Sequence, residues 1–266
     1  MVSRQHNDRR NQRPGTQDLL SLNSAQAEFD QYADGYDAGM GHPLKRLAGQ
    51  SAADYLEPKV TWLLKQLVDS GNAMTSPTAP RLLDVGCGSG SFLKCLRSHG
   101  FSGSMSGCDI SGAMLSEAAR TWANADPPPL NLIEDGRLPY DDQSFDLVIA
   151  CAVFHHVAPT DRAALLKEIS RVLAPGGKLF VFEHNPWNPL TQIVVRSTEI
   201  DRNAILLSAR ETRLRVLEAK LEIVSTNYLL FFPPRWKGLK FLEAWLGRIP
   251  MGAQYVVTAE AIHKTV

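Results

Sequence analysis

The stretch RLLDVGCGSGSFL, Arg81 to Leu93, places three glycines at alternate positions between two apolar runs. A short apolar run before such a loop is typical of a buried strand, and the segment after it has the pattern of a helix. Glycine allows a sharp backbone turn and lets a ligand approach without meeting a Cβ atom. The stretch therefore predicts a strand, a ligand-binding loop and a helix, the opening unit of a doubly wound α/β fold.

The residues around these glycines exclude two phosphate-binding loops. A P-loop needs Lys and then Ser or Thr after its last glycine, but Ser91 and Phe92 follow Gly90. A nicotinamide or flavin fingerprint that begins at Gly86 would need its third glycine at the position of Ser91. Asp84, just before the loop, would repel a pyrophosphate but suits an ammonium group.

A second acid completes the pattern of a cofactor site. Asp109 ends the next predicted strand, where a carboxylate can accept hydrogen bonds from both hydroxyls of a ribose. A ligand with an amino-acid ammonium, a ribose and no phosphate is S-adenosylmethionine.

The chain from Arg81 to His184 alternates between strand-like and helix-like segments. Strands that are apolar on both faces and separated by helices predict a parallel sheet covered on both sides. Further segments are predicted as a helix over 52–68, a helix over 159–177 closed by Pro and Gly, a helix over 208–220 with a Ser208–Glu211 capping box, and strands over 221–232 and 253–262. No repeat or linker divides the chain into two folding units.

Composition excludes several classes of protein. Lys plus Arg and Asp plus Glu number 28 each, so no global field would attract nucleic acid. The four cysteines have no zinc-site spacing, which predicts reduced thiols, no metal site and a cytoplasmic location. No apolar run approaches the roughly 18 residues of a membrane span, and no signal peptide is recognised.

Five ordered motifs carry a resemblance to a known family: LLDVGCGSG, GCDIS, EDGRLPYDDQSFDLVIA, FHHV and EISRVLAPGGKLFVFE. The chain resembles class I S-adenosylmethionine-dependent methyltransferases, in particular the branch of the ubiquinone and menaquinone biosynthesis enzymes. The resemblance implies a Rossmann-like, doubly wound, seven-stranded and mostly parallel sheet with its last strand antiparallel and helices on both faces. Polar composition predicts a disordered tail over 1–18. The resemblance implies one domain over 19–266, with lid helices over 25–70, a core over 81–184 and substrate-side insertions over 185–207 and 233–252.

The resemblance also implies which residues hold the cofactor. The methionine end would be held at the ends of the first and fourth strands by Asp84, Gly86, Cys87, Gly88 and Cys151. Asp109 would bind the ribose, and Ile110 would pack on the adenine. An acid after the third strand would meet the adenine amino group; we favour Asp135, which precedes Gly136 as in the family's Asp-Gly form, over the neighbouring Glu134.

Two further sets of residues are candidates for the acceptor side. His155 and His156 follow the fourth strand, where either one would serve as a general base or would shape the loop through backbone hydrogen bonds. Tyr32 and Tyr36 belong to an aromatic segment that would form a lid over the cofactor or pack as a helix face on the sheet edge.

The segment 234–249 alternates tryptophan and leucine with arginine and lysine. It is typical of an interfacial helix that serves a lipid-linked acceptor, or of a cover over the enzyme's own pocket. The sequence thus predicts methyl transfer from S-adenosylmethionine to an O, N or C nucleophile of a small or lipid-like molecule. A non-catalytic subunit of the same fold and a nicotinamide-dependent reductase are the alternatives.

Overall fold

The computed structural model describes residues 29–31, 52–69, 79–122, 127–233 and 236–262. The predicted tail over 1–18 and the lid candidates Tyr32 and Tyr36 lie outside these ranges.

Helices and strands alternate through the described residues. The helices are α1 (Ala52–Asp69), α2 (Ser91–Ser98), α3 (Gly112–Thr121), α4 (Arg162–Val172), α5 (Pro189–Ser197), α6 (Ala209–Glu218) and α7 (Lys240–Leu246). The strands are β1 (Leu82–Val85), β2 (Met105–Asp109), β3 (Leu130–Leu132), β4 (Phe145–Cys151), β5 (Leu173–His184), β6 (Leu221–Leu229) and β7 (Gln254–Ala261). Two 3-10 turns, Glu199–Asp201 and Lys237–Leu239, lie in the two segments predicted to be insertions.

The strands form one sheet in the order β3-β2-β1-β4-β5-β7-β6. Strand β7 runs antiparallel to both of its neighbours, and the pairs among β1 to β5 are parallel. The predicted seven-stranded, mostly parallel sheet is confirmed. The strand order reverses between β1 and β4, and ligands of doubly wound folds bind beyond the carboxyl ends of the strands at such a switch point.

Neighbouring residues of each central strand pack into two different cores. Leu82 lies in a cluster on the face covered by α1 and α2, and Leu83 lies in a cluster on the face covered by α4 and α6. Side chains of a strand alternate between faces, so a strand with helices on both faces must be apolar throughout. This burial holds the carboxyl ends of β1, β2 and β4 in fixed positions.

Three predicted boundaries differ from the structure. The helix predicted over 159–177 ends at Val172, and β5 begins at Leu173. The last residues of the strand predicted over 221–232 leave the sheet after Leu229, since Leu230 has a φ of 60°. The segment predicted as one helix over 234–249 contains a short 3-10 turn followed by the helix Lys240–Leu246.

Candidate active site

The glycine loop uses its own amide groups to hold its shape. The amides of Gly86 and Cys87 both donate to the Cys108 carbonyl, at 2.8 and 3.0 Å, and the amide of Gly88 donates to Asp109 Oδ2 at 2.8 Å. The loop is therefore not the cradle of free N–H groups that an anion would need. Gly86 has a φ of +69°, and a Cβ at that position would lie 2.6 Å from Val153 Cγ2, so the loop requires glycine there.

Asp84 is a buried carboxyl group without a hydrogen-bond donor among the described residues. Its residue is 2% exposed, and no described residue donates a hydrogen bond to its carboxylate. Burial, with a smaller contribution from the Asp109 carboxylate, raises the pKa of Asp84 to about 8. A buried acid without a donor is compatible with an ammonium ligand, and the contact predicted between Asp84 and S-adenosylmethionine stays a prediction.

Asp109 stands at the carboxyl end of β2, beside the glycine loop. Its Oδ1 accepts from the amide of Ser111 at 3.0 Å, and its Oδ2 accepts from the amide of Gly88. Burial raises the pKa of Asp109, and these amide donors oppose that shift. Each carboxylate oxygen can accept more than one hydrogen bond, so this oriented group keeps capacity for two ribose hydroxyls. Ile110, the predicted adenine contact, is the half-buried residue that follows it.

Lys59 is a site residue that the sequence analysis missed. It is buried in α1, and its Nζ lies 3.5 Å from Sγ of Cys151 at the end of β4. Asp84 and Lys59 both contribute to the electrostatic environment of that thiol, so a buried cation and a buried acid face one region. The signal was present: Lys59 occupies the apolar stripe of the helix, three residues after Leu56 and four before Leu63.

The acids after β3 occupy different positions. Asp109 pairs with Leu132 and the amide of Ile133 donates to the Asp109 carbonyl, which extends the pairing beyond the strand and puts Glu134 on the same face as Asp109. Asp135 is exposed in a left-handed turn with Gly136, at φ values of 51° and 70°. Glu134 is exposed as well, so the observed difference is the face that it shares with Asp109, and the contact predicted for Asp135 stays a prediction.

His155 is held between two carboxylates. Its Nδ1 lies 2.6 Å from Glu183 Oε2, and its Nε2 lies 3.7 Å from Asp201 Oδ1. Burial lowers the pKa of His155, but the carboxylates of Glu183 and Asp201 outweigh it and the pKa rises to about 9. Burial raises the pKa of Glu183, and the opposing His155 charge holds it at about 2.

His156 lies beside this pair, with Nε2 at 3.5 Å from the same Asp201 oxygen. Burial lowers the pKa of His156. His184, whose ring centroid is 5.1 Å from that of His155, has its pKa lowered by burial and by the His155 charge to about 3. The sequence placed both members of the histidine pair at this edge; it did not identify Asp201. The general-base role predicted for the pair stays a prediction.

A short N-terminal segment joins the cofactor loops to the histidines. Asp30 Oδ1 accepts from Ser111 Oγ at 2.5 Å and from the amide of Ala113 at 3.4 Å. The Phe29 ring packs edge-on against His156 with centroids 5.0 Å apart. Residues 29–31 therefore contact both the residues that follow β2 and the histidine pair, and the lid role stays a prediction.

The strand order is that of a doubly wound fold, and Asp84 and Asp109 lie near its switch point as candidate residues for a nucleoside cofactor. Residues 83–181 match the family model described as "Methyltransferase domain". Residues 83–181 therefore carry a methyltransferase domain, and this match together with the fold implies S-adenosylmethionine as its cofactor.

Named relatives agree with this class. The chain is 34% identical to a probable tRNA methyltransferase 9B of Mus musculus over 37% of this chain and 20% of that protein. It is 28% identical to 27-O-demethylrifamycin SV methyltransferase of Amycolatopsis mediterranei over 87% of this chain and 85% of that protein. It is 34% identical to the demethylmenaquinone methyltransferase of Lactobacillus johnsonii over 42% of this chain and 47% of that protein.

The fold matches a solved structure across most of the chain. A SAM-dependent methyltransferase from Thermotoga maritima superposes with a TM-score of 0.60 at 18% identity, over 88% of this chain and 99% of that chain. The chain spans less than half of the length of the first curated relatives that it matches: 20% of two of them and 46% of the third.

Proposed function

We propose that this protein transfers the methyl group of S-adenosylmethionine to an O, N or C nucleophile of a small or lipid-like molecule. The observation that carries the proposal is the pair of buried acids on adjacent strands, Asp84 and Asp109, of which Asp109 is oriented by two backbone amides. They match the ammonium and the ribose of this cofactor. When bound, the cofactor supplies the electrophilic methyl group on a sulfonium.

The residues of the chain bind the cofactor and orient it toward the acceptor. Asp84 would accept from the cofactor ammonium, with the loop from Gly86 to Gly88 against the methionine chain. Lys59 would pair with the methionine carboxylate, and Cys151 would pack beside it. Because both charges are buried, water is kept from this end of the crevice, and orientation of the acceptor can supply much of the rate.

Similarity in the second half of the chain supports a small-molecule acceptor. The alignment with 27-O-demethylrifamycin SV methyltransferase covers 87% of this chain, so it extends well beyond the cofactor-binding core. The alignment with the tRNA methyltransferase covers 37% of it. The formal net charge of zero also supports an acceptor that is not a polyanion.

The test is incorporation of a labelled methyl group. The purified protein would be given labelled S-adenosylmethionine with small phenolic, quinol and amine acceptors, some carrying an apolar tail, and with bulk tRNA in a parallel reaction. Label in the organic extract supports the proposal, and Asp109→Ala should abolish it by weakening cofactor binding about tenfold or more. Label found only in tRNA would favour tRNA as the acceptor. A protein that binds the cofactor but transfers label to neither fraction would favour the alternative of a non-catalytic subunit.

Peripheral membrane contact through 234–249 is part of the same proposal. Trp236 and Trp245 are 56% and 85% exposed, and neighbouring Ile249 is also exposed. An exposed tryptophan pair near basic residues is suited to a membrane interface. Among the described residues no helix is long and apolar enough to cross a membrane. Flotation with anionic liposomes tests the contact, which is refuted if the protein stays in the pellet fraction.

A further inference from the structure

Three side chains beyond the cofactor loops point their ligand atoms at one small volume. His155, His156 and Asp201 each offer one ligand atom, and these three atoms lie within 4.8 Å of one another. The two Nε2–Oδ1 distances are 3.7 and 3.5 Å. These distances exceed those of charge-assisted hydrogen bonds, about 2.7–2.9 Å. They are close to the separation of about 3.4 Å between two ligands at tetrahedral angles around a metal with bonds of about 2.1 Å.

His155 already has the outer partner that a metal-binding histidine needs. Its Nδ1 lies 2.6 Å from Glu183 Oε2, which directs Nε2 toward Asp201. Glu183 is itself fixed, because its Oε1 accepts from the amides of Val153 and Phe154 at 3.0 and 2.7 Å. A carboxylate that orients a histidine in this way recurs around protein-bound metal ions.

The backbone holds the ligands from both sides of the site. The amide of Ile205, in the segment that follows Asp201, donates to the carbonyl of His155 at 2.8 Å. The Asp201 carbonyl in turn accepts from the amide of Ala204 at 3.0 Å. The segment that carries Asp201 is therefore hydrogen-bonded to the loop that carries the histidines. These backbone contacts hold the three ligand residues close together.

The charges also suit a divalent cation. Asp201 is 7% exposed, and within the described part of the chain its carboxylate accepts no hydrogen bond of normal length. Without a metal, protonated His155 is the charge that opposes this carboxylate, so one positive charge faces the two carboxylates of Asp201 and Glu183. One divalent ion with two neutral imidazoles would balance the charges of Asp201 and Glu183 together.

We propose that His155, His156 and Asp201 bind one divalent transition-metal ion. Two imidazoles and one carboxylate suit zinc or ferrous iron, whereas calcium and magnesium prefer oxygen ligands. Three protein ligands leave a coordination position for water or for an oxygen of the acceptor. This last role rests on the proposed methyl transfer, while metal binding itself does not.

Metal binding is measured on the full chain without turnover. Protein stripped with EDTA is titrated with Zn²⁺ by calorimetry, and with Co²⁺ while the visible absorption of the cobalt is followed. We expect one ion per chain, intense Co²⁺ bands of a low-coordinate site, and a rise in the thermal midpoint on addition of Zn²⁺. Asp201→Asn and His156→Ala should remove all three signals, and Glu183→Gln should weaken binding about 10–100-fold.

The control is His99→Ala, because His99 is an exposed histidine at the end of α2 and should leave binding unchanged. Circular dichroism and thermal melts of each stripped variant show whether it has folded. The proposal is overturned if the wild type binds no stoichiometric ion, or if folded Asp201→Asn and His156→Ala bind as well as the wild type. Metal binding without methyl incorporation would refute the proposed function and leave the site intact.

Discussion

The proposed contact of Asp84 with the cofactor ammonium would make cofactor binding depend on pH. The pKa of about 8 in the folded protein lies above the value near 3.9 of an exposed aspartate, so the folded state keeps a proton that the unfolded chain releases. The contribution of Asp84 to the stability of the apoprotein therefore falls between about pH 4 and pH 8. An ammonium partner needs the ionised carboxylate, and below about pH 8 binding must release that proton.

We expect the affinity for S-adenosylmethionine to rise by up to about tenfold per pH unit between about pH 6 and pH 7.5. It should fall again above about pH 8, where an α-amino group loses its proton. Calorimetry in buffers of different ionisation enthalpy measures both the affinity and the proton release. Asp84→Asn should bind weakly with a flatter pH profile. A wild-type affinity independent of pH would contradict this role.

Glu134 and Asp135 are the two candidates for the proposed contact with the adenine amino group, and they differ by one position of strand register. Glu134 shares the face of Asp109, whereas Asp135 occupies an exposed left-handed turn. We expect Glu134→Ala to weaken cofactor binding several-fold, since the net contribution of one hydrogen bond is about 0.5–1.5 kcal/mol. Asp135→Ala should bind nearly as the wild type does. The opposite order in titrations of the two variants would restore Asp135 to the role that the sequence predicted.

Helix α1 contributes a buried charge to a site formed by strand ends. Without cofactor, the ammonium of Lys59 is buried with a thiol as its polar contact, which costs free energy of desolvation. Lys59→Met should therefore raise the thermal midpoint of the apoprotein while it weakens cofactor binding about tenfold or more. Lys65→Met, at an exposed position of the same helix, is the matched control. A variant that loses stability and keeps its affinity would show that Lys59 has a structural role alone.

Helix α6 shows how far local sequence signals reach. The predicted cap is confirmed, because Ser208 Oγ accepts from the amide of Glu211 at 3.2 Å. The Glu211 carboxylate, however, pairs with Arg162 of α4 and Arg215 of its own helix. The start of the helix was predictable from four adjacent residues, but the partner in α4 was not, because packing of the two helices decides it.

In the folded molecule, residues 29–31 contact two parts of the proposed site: the residues after β2 and the histidine pair. Asp30 bonds to Ser111 beside the ribose acid, and Phe29 packs on His156. We expect Asp30→Ala to raise the KM for cofactor several-fold, and Phe29→Ala to raise chiefly the KM for the acceptor. Gln31→Ala, exposed in the same segment, is the control. The KM values are measured by steady-state kinetics with each substrate varied in turn. If Asp30→Ala and Phe29→Ala both had the KM values of Gln31→Ala, residues 29–31 would have no role in binding either substrate.

The sequence by itself determined the class of sheet, the cofactor loop and the two acids beside it. These features are local: apolar runs specify buried strands, and glycine spacing with Asp84 and Asp109 specifies a ligand within a single β-α-β unit. The approach of Lys59 to Cys151, of Asp30 to Ser111 and of Asp201 to the histidine pair was decided by the tertiary structure alone. Each of these contacts joins separate elements, and their meeting depends on helix docking and on the path of the segment after β5, which no local pattern encodes.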